Sequence, residues 1–156
     1  MTTKMAQRYL GIDLIFSFPS MHQSPLPDDV FDALRSLRDY YDATTQGLRR
    51  EGYRDAVSEL EKAAYLIAHA GPQPEIGMLL FVPYGLRDVV MNDIEAVEPD
   101  ALVFLSYFCV FSSIMERLFW FMRGWSQRLF DAINSRLVGR PLSMRIVEWP
   151  RRHILK

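Results

Sequence analysis

The sequence predicts an all-α fold: a compact bundle of about six helices around one long apolar helix at about 99–122. Three observations predict it. From Asp28 to the end, apolar residues recur at intervals of three and four, the period of a helix. The run 101–122 is apolar nearly all round, which marks a helix covered by neighbours. No stretch alternates apolar and polar residues long enough for a strand, and no internal repeat or low-complexity run interrupts the pattern. The 156 residues suit one domain, and 49% hydrophobic and 13% aromatic residues supply its core.

The elements follow in order. Residues 1–27 read as an irregular arm packed on the body, because Pro19, Pro25 and Pro27 punctuate it while Ile12, Leu14, Ile15 and Phe16 are apolar. A single helical domain is expected over 28–156. Pro27, Asp28 and Asp29 start a first helix, with acids at its positive end. Val30, Phe31, Leu34, Leu37, Tyr40 and Tyr41 form its stripe, and Gly47 and Gly52 weaken its end near Arg50. A second helix runs over 53–70 until Gly71, Pro72 and Pro74 stop it. Short helices follow at 75–81 and 84–96. Pro99 opens the long helix and Gly124 breaks it. Residues 125–137 are amphipathic through Leu129, Phe130, Ile133 and Leu137, and 142–147 make a last short helix before Trp149-Pro150.

The long apolar run is near the roughly 20 residues a membrane span needs. Glu116 and Arg117 sit together inside it, each costing on the order of 2.5–3.5 kcal/mol at a bilayer centre, so a core helix and no membrane span is expected. The stretch 10–18 is cut by Asp13 and no small-residue cleavage site follows, so no secretory signal is expected. The single cysteine, Cys109, excludes an internal disulfide and fits a reducing, intracellular setting, cytoplasmic or nuclear.

Charge is uneven. Residues 1–116 hold 9 Lys/Arg against 17 Asp/Glu, and residues 117–156 hold 9 against 2. Solvated helix faces account for this, and complementarity between two copies is a second reading. Direct DNA binding is not expected, because the basic residues sit on amphipathic helices with no nucleic-acid motif.

Few constellations carry chemistry. His22, His69 and His153 are scattered, so no metal site is expected. Asp28-Asp29-Val30-Phe31-Asp32 fits an aspartate-rich D-D-x-x-D pattern that gathers magnesium around a diphosphate, but acids in a first helical turn need no further reason and the partner motif is missing. Glycine-rich phosphate loops and a nucleophile elbow are absent, so no cofactor is expected. On the long helix, Ser106, Cys109, Ser113, Glu116 and Trp120 share one face, opposite Phe104, Phe108, Phe111, Met115 and Phe119. That small, polar stripe either lets a neighbouring helix approach or leaves room for a ligand oriented by Tyr107 or Glu116. Spacing alone leaves both open.

The pattern Tyr53…Leu60, Pro99-Asp100-Ala101-Leu102, Tyr107-Phe108, Trp120-x-x-x-Gly124-Trp125, Leu129, Ile133 and Trp149-Pro150 resembles the C-terminal effector domain of fungal zinc-cluster transcription factors of the sterol-uptake-regulator type. The resemblance covers about the last two thirds of the chain. It implies an all-helical domain with an apolar pocket for a sterol-like ligand. Phe104, Tyr107, Phe108, Phe111, Trp120 and Trp125 are then the positions that line or support the pocket. The family's six-cysteine DNA-binding motif has no counterpart here, and a homodimer would supply any missing wall.

Two uses of such a pocket follow as expectations. One is a freestanding enzyme of fungal specialised metabolism that promotes cyclisation, cycloaddition or isomerisation of a terpenoid- or polyketide-like substrate without a cofactor, Tyr107 or Glu116 polarising a carbonyl. The other is a non-catalytic sterol- or lipid-like ligand-binding or regulatory module.

Overall fold

The computed structural model describes residues 24–70 and 74–154, and of Trp120 the backbone alone. The described residues form eight α-helices and no strand, so the chain is all-α as its periodicity predicts, with two helices more than expected. In order they are α1 (Val30–Thr44), α2 (Gly47–His69), α3 (Gly77–Leu80), α4 (Asp88–Glu95), α5 (Pro99–Leu118), α6 (Trp125–Leu137), α7 (Pro141–Ile146) and α8 (Glu148–Ile154). Short 3₁₀ turns at Val82–Gly85 and Trp120–Met122 link α3 to α4 and α5 to α6.

The first two helices differ from the prediction. The chain breaks at Thr45–Gln46, where no glycine or proline marks a stop. The Thr45 amide and hydroxyl both donate to the Tyr41 carbonyl, at 2.9 and 2.5 Å. Arg50 reaches back across the link to the Thr45 and Asp42 carbonyls, at 3.0 and 2.9 Å, satisfying groups that the end of α1 leaves open. Gly47 opens α2 with φ +60, and Gly52 lies inside it. Helices α1 and α2 run antiparallel, clipped by Arg54 to Asp42 near the link and by Arg38 to Glu61 farther along.

Gly52 is a contact glycine. A Cβ there would stand 2.4 Å from Val89 Cγ1 and 3.2 Å from Val90 Cγ2, so its bare backbone lets α4 dock against α2. Helix α4 ends in a left-handed cap: Glu98 N–H donates to Asp93 O and Val97 N–H to Ile94 O. Val97 holds the left-handed position, φ +59, that glycine ordinarily takes.

Helix α5 is the axis. It packs against α2, α4, α6, α7 and α8, and 13 of its 20 residues are buried, Glu116 among them. It is long and apolar enough to cross a membrane, but 78% of its most apolar window is covered by the rest of the protein, which weighs against a span. It ends at Leu118, a turn earlier than expected. Phe119 turns extended and packs on the core, and Gly124 (φ +84) redirects the chain into α6. A polar clasp joins four helices at one end of the axis. Arg49 on α2 pairs with Asp93 on α4 and Asp100 on α5, at 2.6 and 2.7 Å. Tyr53 donates to Asp93 and Tyr41 to the Asp100 carbonyl, both at 2.6 Å, with the two rings stacked.

The helix foreseen at 142–147 is α7, and α8 was not foreseen. Trp149 of α8 stacks on Tyr107 and donates its indole N–H to Asp29, 2.9 Å away, joining the C-terminal helix to the start of α1. Of the arm expected at 1–27, residues 1–23 lie outside the described residues; Leu26 is buried in the core.

Candidate functional site

Helix α5 presents different chemistry to its two sides. On one side Phe104 and Phe108, one turn apart, meet Leu105 over a partly open cavity of about 210 Å³. The opposite wall is Val82 and Pro83 of the 3₁₀ turn, Leu86 after it, and Met91 and Ile94 of α4. Every lining side chain is apolar. The wall stands where it does because Pro83 starts the 3₁₀ turn and because Gly52 seats α4. A wholly apolar cavity offers water no hydrogen-bond partner, and one of about 150 Å³ already admits benzene.

On another side, Ser113, Glu116 and Arg117 line a cleft of about 470 Å³ with Arg123, Gly124, Ser126 and Gln127 at the start of α6 and His153 and Ile154 of α8. The Glu116 carboxylate accepts the Gly124 amide at 2.8 Å and the Ser126 amide at 2.9 Å. It satisfies the open amides at the N-terminus of α6 and sits at the positive end of that helix. Ser113 donates to the Val110 carbonyl and Ser106 to the Val103 carbonyl, each at 2.6 Å. Of that stripe the two serines therefore bond back to their own helix, Glu116 holds the start of α6, and Cys109 is fully buried.

The predicted site residues thus divide. Phe104 and Phe108 come together at the apolar cavity. Ser113 and Glu116 meet at the polar cleft. Tyr107 belongs to neither: its hydroxyl donates to the Ile146 carbonyl at 2.8 Å, its ring is covered by Trp149, and burial pushes its phenol well above the ordinary range. Phe111 is fully buried in the core, and Trp125 is 42% exposed at the start of α6. The Trp120 side chain lies outside the described residues. Tyr107 and Glu116, nine positions apart, stand about half a turn apart around α5 and roughly 13 Å apart along it, so no single ligand group meets both.

The aspartate-rich pattern does not converge. Asp29 accepts the Trp149 indole, Asp32 pairs with Arg35, and Asp28 is exposed. Among the described residues no three His, Cys, Asp or Glu side chains are grouped to hold a metal ion. A wide, open groove of about 740 Å³ lies over Phe31, Tyr65, Leu66 and Phe81, so Phe31, expected in the core stripe, faces outward.

Sequence reasoning missed the far wall of the apolar cavity. Its only local signal is Met91 and Ile94 at a spacing of three. The Arg49–Asp93–Asp100 clasp carried none. Compared with protein-family models, curated proteins and solved structures, the chain finds no match in any of the three.

Proposed function

We propose that this chain is a non-catalytic binding module that takes an apolar small molecule, or the apolar end of a larger one, into the cavity beneath Phe104 and Phe108. The observation that carries the reading is the wholly apolar lining of that partly open 210 Å³ space. Its size is below the roughly 300–1,000 Å³ of pockets for drug-sized molecules, so the occupant is a monocyclic or short isoprenoid group. A sterol would leave most of its skeleton outside. The reading agrees with the resemblance to a ligand-binding effector domain and narrows the ligand.

Catalysed cyclisation or isomerisation has less support. Tyr107 and Glu116, the two groups offered for it, are each engaged by backbone: one bonds a carbonyl and the other holds two amides.

The test is thermal unfolding and calorimetry of the full chain with toluene, limonene and ergosterol. Toluene and limonene are expected to bind saturably and raise Tm, since a ligand that binds only the folded state stabilises it. Ile94→Trp fills the cavity and is expected to abolish that shift while the chain stays folded. No saturable shift with any probe, or an Ile94→Trp variant that binds as well as the parent, overturns the reading. Probes with several double bonds recovered as rearranged products of the same mass would revive the enzyme.

A further inference from the structure

The junction between α5 and α6 exposes apolar groups that a water-facing turn does not need. Within eight residues, Leu118 is 43% exposed, Phe121 65% and Trp125 42%. Arg117, Arg123 and Arg128 are interleaved with them, all exposed, and none has a carboxylate partner among the described residues. The Arg128 guanidinium lies back over the turn, 3.0 Å from where a Gly124 Cβ would be. The contrast with the first half of the chain is sharp. There Arg35, Arg38, Arg49, Arg54 and Arg87 are matched to Asp or Glu, and Arg50 is held by two backbone carbonyls. Beyond residue 116, Arg151 is the one arginine so matched among the described residues.

The junction also has a fixed shape. Its one carboxylate, Glu116, is buried and turned inward onto the Gly124 and Ser126 amides. It therefore sets the turn and gives the outward Arg123 and Arg128 no ion-pair partner; Arg117 shares a cleft with Asp28 and Asp29.

Rings and aliphatic side chains that are stable at a water–hydrocarbon boundary, beside exposed arginines that form no ion pair, form the chemistry that meets an anionic lipid surface. We propose that the α5–α6 junction is a docking surface for an anionic phospholipid bilayer, with Phe121, Leu118 and Trp125 entering the interfacial layer and Arg117, Arg123 and Arg128 meeting lipid phosphates. Helix α5 stays within the protein, so the attachment is peripheral. A single-stranded nucleic acid, which also takes arginines and rings, is the competing partner. The bilayer is favoured because the aliphatic Leu118, exposed beside the rings, offers apolar surface on which no base stacks.

The test is co-sedimentation of the full chain with vesicles of phosphatidylcholine alone and of phosphatidylcholine with phosphatidylserine, alongside polarisation with a labelled oligouridine. Binding is expected on the phosphatidylserine vesicles, weakening as salt rises. Phe121→Ser should lower it roughly ten-fold, and Arg123→Gln or Arg128→Gln about five-fold each. Leu118→Ser gives an independent apolar change, and Arg136→Gln, an exposed arginine farther along α6, should leave binding unaltered. All these positions are exposed, and an unchanged Tm checks each variant. Equal binding to both vesicle types, loss with Arg136→Gln as large as with Arg123→Gln, indifference to Phe121→Ser and Leu118→Ser, or binding to oligouridine without binding to vesicles each overturns the proposal.

Discussion

Cys109 has no exposed surface, and burial, reinforced by the Glu116 carboxylate, pushes its thiol up to about 12 from an ordinary 9.0. The nucleophile is the thiolate, so the folded protein should resist a thiol reagent at pH 8 and react fully once unfolded in urea. Rapid labelling of the folded chain would show that the helices open locally around α5. The sign of the linked effect is set by the same shift: between 9.0 and about 12 the unfolded chain sheds a proton that the folded chain keeps, so this residue makes stability fall as pH rises through that window. Val97 is the second residue whose chemistry opposes its place. A left-handed backbone costs an L-residue roughly 1–2 kcal/mol, and glycine at that site gives back about 0.5–1 kcal/mol of it as freedom in the unfolded chain. Val97→Gly should therefore raise stability by about 0.5–1 kcal/mol, read as a higher urea midpoint at unchanged slope. A lower midpoint would mean that the side chain's contacts outweigh the backbone strain.

At the scale of elements, glycine and carboxylate decide how helices meet. A methyl group at Gly52 cannot fit 2.4 Å from Val89 Cγ1, so Gly52→Ala should drive α4 from α2 and cost on the order of 1–3 kcal/mol. Because α4 also walls the apolar cavity, the same variant should weaken toluene binding; unaltered binding would place the ligand elsewhere. Glu116→Gln keeps one acceptor oxygen for two amides and should cost about 1–2 kcal/mol without touching ligand affinity. A loss of affinity from that substitution would return Glu116 to the binding site. These contacts also show what the residues could and could not reveal beforehand. The start of α5 and the span of α6 were legible, because Pro99 and a steady apolar period are local signals. Phe104 and Phe108 were legible as neighbours on one face. The break at Thr45 was not, because a hydroxyl and an arginine across the link make it, and Gly47 and Gly52 suggested a later stop. The cavity's other wall was not, because it depends on a glycine in α2 meeting valines in α4, an approach that leaves no period in the chain.

Across the whole molecule, the two ends of the described chain meet at α5, and Trp149 makes that closure. Its ring lies 5.3 Å from the Tyr107 ring and its indole N–H bonds Asp29 beside the start of α1. It is 6% exposed, so it is part of the core as well as a bridge between chain segments. Two substitutions separate these roles. Trp149→Phe keeps the stacked ring and loses the hydrogen bond to a partly exposed carboxylate, a loss of about 1 kcal/mol. Trp149→Ala also empties the space between α5 and α8 and should cost about 3–5 kcal/mol. For a chain of this length each kcal/mol moves Tm by roughly 2–4 °C, so the two variants are well resolved by calorimetry. If the closure makes one cooperative unit, far- and near-ultraviolet dichroism should report the same transition in the parent and in Trp149→Phe. Should Trp149→Ala split the transition, with helical signal outlasting the near-ultraviolet signal, then α7 and α8 are a separable cover and α1 to α6 form the body that folds without them. That outcome bears on ligand binding too. The apolar cavity is built from α4, α5 and the 3₁₀ turn before α4, so it should survive loss of the cover, and toluene should still raise the Tm of the remaining transition.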